Sequence, residues 1–340
     1  MDHVTGIFCD HKKGVGVWTV CVLAFVSILA FAGAARSADP VAVQNPPPAR
    51  LDWTGWFGFG PFMAAGGLLD DFQHETSKGQ YTLFNPTPPA LMRELTTDRP
   101  DNTESPFTVD AGHVQTETTI FGYARSGPSP DGSATDSYEF ATTNIRVGLT
   151  NWSEMNLIWQ PYGVVQTHAP IPGGSMLQSG TGGVEIRTKI NLWGNDTFEK
   201  PGATAFALLP FISLPTDRGN GVSPDAVEGG LILPYAIKLT EKFDLGLNAG
   251  VEAIHDDGGA GYHPQYIASA SLGYDWTEQL STYYEVYAEL ARDSGLDVVL
   301  LATGLTYQVT KNFQLDGGVN IGVTPAADRF NSFVGASFRY

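Results

Sequence analysis

The residues best able to do chemistry crowd into one stretch, RELTTDRPDNTESPFTVDAGH, from Arg93 to His113. Within it Asp98, Arg99, Asp101, Glu104, Asp110 and His113 mix acid with base, and Pro100 and Pro106 stiffen the path. Arg99 can grip a carboxylate through two parallel N–H donors. Asp98, Asp101 and Glu104 could gather around Ca²⁺, but the spacing lacks the glycine and the full ligand set of an EF-hand loop. The leading expectation is that this stretch folds into the mouth or lumen of a larger element and fixes the register of the first strand. The alternative is a direct part in binding a solute.

A second set of charges lies within alternating segments. In Val184–Leu192 the apolar Val184, Ile186, Ile190 and Leu192 share one face, and Glu185, Arg187, Lys189 and Asn191 share the other. The same alternation puts Glu252, Glu285, Glu289, Asp316 and Arg339 on polar faces. Mixed charges on an inward face either pair and brace the structure or line a wet path. Elsewhere the chemistry is thin. His255, Asp256, Asp257 and His263 share one connection and could hold a metal, although such loop residues are commonly solvated. The only cysteines are Cys9 and Cys21, so no thiolate site exists beyond the first 21 residues. There is no GxSxG, phosphate-binding loop or dinucleotide fingerprint, and no Ser–His spacing marks an enzyme. No cofactor and no covalent chemistry are expected.

The elements that must position these charges are strands. Period two runs from about Val109 to Tyr340, clearest in Val184–Leu192, Phe243–Ala253, Thr282–Leu290 and Phe313–Val323. A turn motif recurs at Leu149–Trp152, Leu239–Phe243, Trp276–Leu280 and Val309–Phe313. Each time a strand ends, polar residues turn the chain, and an aromatic residue or leucine restarts it. Between these turns lie longer connections rich in Gly, Pro, Asp and Ser. Twelve strands are expected, centred near 118, 143, 159, 188, 208, 235, 248, 270, 286, 302, 318 and 335. Short turns at one end and long loops at the other are the plan of an outer-membrane barrel, with both ends of the β part on the periplasmic side.

The fold class expected is therefore all-β, an antiparallel transmembrane β-barrel. A closed sheet satisfies every backbone group in lipid and leaves no edge. A secreted soluble β protein is the alternative. Two features favour the barrel: aromatics gather at strand ends (Trp152, Trp159, Trp193, Phe243, Tyr274, Trp276, Tyr307, Phe313), and the chain ends in alternating Val334, Ala336, Phe338 and Tyr340. The strand near 302 differs, because both of its faces are apolar. It should touch a lumen plug or form an apolar wall. A barrel of twelve strands is narrow, which predicts a restricted pore.

Composition agrees with this reading. Lys plus Arg is 19 against 36 for Asp plus Glu, a net charge of −17, so nucleic acid is excluded as a partner. Charged residues are only 16% and mean hydropathy is −0.08, too polar for a bundle of membrane helices. At the N-terminus Lys12 and Lys13 precede an uncharged run, Gly14–Ala35, and then small residues. Residues 1–38 read as a Sec signal peptide, cut after Ala34, Ala35 or Ala38, with a retained anchor as the alternative. Residues 39–92 read as a Pro/Gly/aromatic-rich linker or plug, and residues 93–340 as the barrel.

The run TDRPDxTESPxTVDAGH (residues 97–113), followed by Val114-Gln-Thr-Glu117, together with Leu208–Thr216 (LLPFISLPT), resembles the outer-membrane transporters of the meta-pathway of phenol degradation. The resemblance covers the chain from about residue 93 onward. It implies an outer-membrane barrel that takes up small, apolar or aromatic molecules. The expected partners are the outer-membrane bilayer, a small solute, and the barrel-assembly machinery acting on the last strand. Two other functions stay open: a non-conducting structural or interaction barrel of the envelope, and a barrel enzyme.

Overall fold

The computed structural model describes residues 78–340 apart from residue 130 and residues 172–173, 257–260 and 292–296. Residues 1–38, read above as a signal peptide, and residues 39–77 lie outside the described residues. Among the described residues, apart from one 3₁₀ turn at Pro89–Leu91, the regular structure is all strand. The strands are β1 (Val114–Arg125), β2 (Ala134–Thr150), β3 (Ser153–Trp159), β4 (Tyr162–His168), β5 (Met176–Gly180), β6 (Val184–Trp193) and β7 (Thr204–Leu214). They continue as β8 (Glu228–Lys238), β9 (Phe243–His255), β10 (Tyr262–Asp275), β11 (Leu280–Ala291), β12 (Val298–Thr310), β13 (Phe313–Gly322) and β14 (Phe330–Arg339).

These fourteen segments make twelve staves. β3 and β4 lie end to end along β2, which pairs with β3 through Thr143–Thr150 and with β4 through Ala134–Phe140. The break falls at Gln160–Pro161, where proline has no N–H to give a ladder. β5 and β6 likewise form one stave, interrupted at residues 181–183. The two interruptions lie side by side, and Gly182 N donates to Gln160 O at 2.8 Å. Every pairing is antiparallel, and β1 pairs with both β2 and β14, so the sheet closes. The expected twelve-stranded antiparallel barrel is the fold.

Its burial pattern is inverted relative to a water-soluble protein. Arg146, Glu154, Lys189 and Ser337 are 0% exposed. Outside, Tyr284, Leu301, Ile321 and Val334 are exposed. A lipid-facing surface has to be apolar, and the interior can then hold the charge. Aromatic rings line both rims. Near the short turns Phe243 packs on Tyr274 at 4.6 Å and Phe338 on Tyr340 at 4.6 Å. Near the long loops Phe121 packs on Phe140 at 5.5 Å and Tyr123 on Tyr138 at 5.3 Å.

One connection breaks the expected rhythm. The β6–β7 link covers residues 194–203, where the alternation of short and long predicts a tight periplasmic turn. Its length has a structural use: Asn195, Asp196 and Phe198 fold back onto the segment that precedes β1.

Candidate functional site

Residues 93–110 run into the lumen from the short-turn rim and are tied to staves around its circumference. Asp98 sits deepest in charge. Its carboxylate meets Lys189 on β6 at 2.5 Å and Arg146 on β2 at 3.2 Å, and its backbone N–H donates to Glu117 on β1 at 3.0 Å. Arg146 is held in turn by Glu117 at 2.7 Å and by Glu154 on β3 at 3.0 Å. So one buried guanidinium collects three carboxylates from two staves and the inserted segment. Such a cluster is tolerated in a dry interior only because each charge has partners.

The tip of the segment spans to the far wall. Arg99 forks onto Asp316 on β13 at 2.7 and 3.4 Å, donates to Thr119, and lies 5.3 Å over the Phe333 ring of β14. Asn102 donates to Glu285 on β11 through its backbone at 3.0 Å and its amide at 2.8 Å. Thr103 reaches Ser269 on β10 at 2.8 Å and Glu285 at 2.6 Å. Glu104 accepts from Arg187 on β6, and its backbone N–H donates to Asn248 on β9 at 2.7 Å. Asp101 lies against Ser271 and Glu285, and burial and the Glu285 charge push its carboxyl well above the ordinary value.

The way back out is as closely fitted. Asn191 donates to Pro106 O at 2.9 Å, and Val109 N donates to Glu154 at 2.6 Å. The chain then passes over Gly148 of β2 so closely that a Cβ there would sit 2.7 Å from Val109 O. Only glycine admits this approach. At the rim Asp110 accepts from Arg93 N at 2.9 Å, which joins the start of the inserted loop to its end. Arg339 of β14 donates to Arg93 O at 2.9 Å. His113 sits outside the lumen, its ring nitrogens 2.8 Å from Tyr340 O and from Thr87 O. It ties the start of β1 to the chain end.

Residues 78–92 pack along the same rim. Lys78 and Arg93 reach Asp196 at 2.6 and 3.1 Å. Those two cations hold the Asp196 carboxyl below its ordinary value, although burial pulls the other way.

Beyond the inserted loop the lumen changes character. Leu209, Ile232 and Ile267 form a buried apolar cluster on the inner wall, with Phe211 and Tyr287 packed against it. Beside it Gln265 donates to Glu252 at 2.9 Å and to Glu289 at 3.0 Å. Arg187 pairs with Glu185 as well as with Glu104.

The structure therefore brings the sequence-predicted Asp98, Arg99, Asp101, Glu104, Arg187, Lys189, Glu285 and Asp316 into one network. Glu185 touches it through Arg187, and Asp110 and Arg339 close it at the rim. Glu252 and Glu289 stand apart, farther up the wall. Sequence reasoning missed Arg146, Glu117 and Glu154, although each alternates with outward residues on its strand. It also missed the inward aromatics Phe211 and Phe333. At the start of β10, His263 meets Asp256 of the β9–β10 connection at 2.7 Å, and among the described residues no group of ligands gathers to hold a metal.

The family described as the MetA-pathway of phenol degradation matches residues 97–340. Among solved structures the barrel is similar to the COG4313 outer membrane channel from Pseudomonas putida F1, with a TM-score of 0.50 and 12% identity over 72% of this chain and 100% of that chain. It is less similar to the transport unit of the autotransporter AIDA-I from Escherichia coli, with a TM-score of 0.44 and 10% identity over 80% of this chain and 98% of that one. The NanC porin is also similar, with a TM-score of 0.39 and 10% identity over 66% of this chain and 98% of that one. No curated protein matches the sequence. The first likeness carries the fold, a closed antiparallel β-barrel of the outer-membrane type.

Proposed function

This chain belongs to the family of the MetA-pathway of phenol degradation, and from that membership we propose a restricted outer-membrane channel for small apolar or aromatic molecules. The observation that carries the reading is the division of the lumen. A charged loop fills the periplasmic half, and the wall beyond it is apolar and aromatic at Leu209, Phe211, Ile232, Ile267 and Tyr287. A general porin keeps a wet, wide lumen, whereas a narrow barrel with an apolar wall favours solutes that shed water readily. Passage requires the inserted loop to yield, because it bonds to staves on all sides. The reading assigns no covalent step. We also read the last strand, ending Phe338-Arg-Tyr340, as the segment handed to the barrel-assembly machinery.

Those many bonds favour a second reading, a closed barrel braced by its own N-terminal loop. Planar-bilayer conductance and liposome swelling separate the two. The channel predicts small currents, entry of pentoses, exclusion of disaccharides, and block of current by a single-ring solute. Absence of current and of swelling, in the natural protein and in Asp98→Ala alike, would leave the brace.

A further inference from the structure

Strand alternation sends the charges of the wall inward. Arg146, Arg187, Lys189, Lys238 and Arg339 all stand on the lumen side, each beside a carboxylate. Among the described residues one ion pair breaks this rule. Arg125 of β1 and Asp136 of β2 are cross-strand partners, and Arg125 also lies opposite Phe330 of β14, whose ring is exposed. The same register sets Tyr123 opposite Tyr138 and Phe121 opposite Phe140. The pair therefore stands on the lipid-facing side, just beyond the aromatic rings of the long-loop rim.

One carboxylate organises the cluster. Asp136 is 6% exposed and accepts from the Tyr123 hydroxyl at 2.7 Å and from Arg125 Nη1 at 3.1 Å, with the His168 ring of β4 at 2.8 Å. Those partners occupy both of its oxygens, so it fixes Arg125 and His168 in place beneath them. Both Arg125 bonds to it use Nη1, and the arginine side chain stays 51% exposed and the histidine 41%. A third basic group joins them. Arg329 precedes Phe330, is exposed, and makes no ion pair among the described residues. A Cβ on Gly127, two residues past Arg125, would sit 3.8 Å from its Nε. Asp328, its neighbour in sequence, lines a recess in the lumen wall instead.

The height of this cluster identifies what it meets. Arg125 lies two residues beyond Tyr123, about 7 Å along the strand. Interfacial rings mark the edge of the hydrocarbon, so the cluster stands among lipid headgroups. Two exposed arginines converging there run against a net charge of −17, and an anion is their complement. We propose that Arg125, Arg329 and His168 bind a phosphate of the phosphorylated glucosamine lipid of the outer leaflet, with its acyl chains against the rings below. A guanidinium fork fits two phosphate oxygens, and Asp136 holds that fork ready. The long loops face the cell exterior, where the headgroup phosphates are carried on sugar and not on glycerol. The inference rests on the outer-membrane placement within the reading above and is independent of conduction.

Native mass spectrometry of the folded protein, mixed in detergent with diphosphoryl lipid A, with its dephosphorylated form or with cardiolipin, tests it. Diphosphoryl lipid A should be retained at least about tenfold better than the other two, the effect of two cations at a charged headgroup. Arg125→Gln/Arg329→Gln should lower its retention to that of the dephosphorylated form. Lys242→Gln/Lys311→Gln, at the short turns, should leave retention as it is. Equal retention of the phosphorylated and dephosphorylated forms, or a preference that survives loss of both arginines, would overturn the proposal. Cardiolipin, whose two phosphates sit on glycerol, retained as well as lipid A would overturn the assignment to the sugar lipid. Conductance measured on the same samples keeps the two readings separate. Current without lipid preference removes this site alone, and lipid preference without current removes the channel alone.

Discussion

The Arg99 guanidinium and the Asp316 carboxylate lie 217 residues apart in sequence and meet at 2.7 Å inside the barrel. The bond joins a loop upstream of the first strand to the next-to-last stave. Arg99→Ala should therefore loosen the loop without touching the lipid-facing surface. A charge-assisted fork is worth about 1.5–3 kcal/mol, and lysine reproduces the charge but not the planar geometry. Single-channel recording should show larger or more frequent openings in Arg99→Ala, with Arg99→Lys in between. Recordings indistinguishable from the natural protein would detach this ion pair from gating.

Arg146 answers for more of the stability. Its removal strands Glu117 and Glu154 in a dry interior, a loss of about 3–5 kcal/mol. Arg146→Met should lower the temperature at which the folded, fast-migrating species disappears on unheated gels. Replacing Glu117 and Glu154 by Gln in the same chain should restore much of the loss, since the stranded charges are then gone.

A covalent staple asks whether the loop has to move. Thr103 and Ser269 touch through their hydroxyl oxygens at 2.8 Å, close enough for a disulfide between cysteines placed there. With Cys9 and Cys21 changed to Ser, the Thr103→Cys/Ser269→Cys protein should lose current on oxidation and regain it with a reductant. Full current through the oxidised protein would mean that solutes pass a docked loop.

The rim contact at Asp196 predicts acid sensitivity of residues 78–92. Lys78 and Arg93 hold this carboxyl below its ordinary value of 3.8 against the opposing pull of burial. A depressed acid stabilises the docked form above that value, and the contribution disappears as pH falls through the lowered one. Protease cutting between residues 78 and 92 should stay slow at neutral pH and accelerate below about pH 4. In Asp196→Asn it should be fast at every pH.

Glu289, joined to Glu252 through Gln265, puts negative charge on a narrow wall. Fields focus in such a low-dielectric cleft, so the pore should prefer cations. The reversal potential in a salt gradient should carry the sign of cation selectivity and shrink in Glu252→Gln/Glu289→Gln.

Much of the wall could be read from the chain because lipid imposes a strict period of two. Val184–Leu192 declares its two faces residue by residue, and in the structure Ile186 is exposed while Lys189 and Asn191 are buried. Both faces of the strand near 302 read as apolar, and the structure exposes Leu301 and Leu305 on one of them and buries Ala302 on the other. Partner choice was not legible. Nothing in the run from Thr97 to His113 says that Asp98 would meet Lys189 or that Arg99 would cross to Asp316, since those pairs form only after closure sets the angular position of each stave. Arg146 escaped notice because a lone arginine among Thr142, Asn144 and Gly148 looks like an ordinary polar-face residue. The long β6–β7 link is likewise a product of tertiary packing, since Asn195, Asp196 and Phe198 fold back onto the residues that precede β1, and Pro161 marks a break in its strand without telling that Gly182 would meet it across the sheet.

Arg93 and Asp110, bonded to each other at the rim, mark where the same loop goes in and comes out. A bight of rope laid through a ring can be pulled free by its standing part, with no end to unthread. Tension applied from the periplasmic side would work in the same way here, and a push from outside the cell would not.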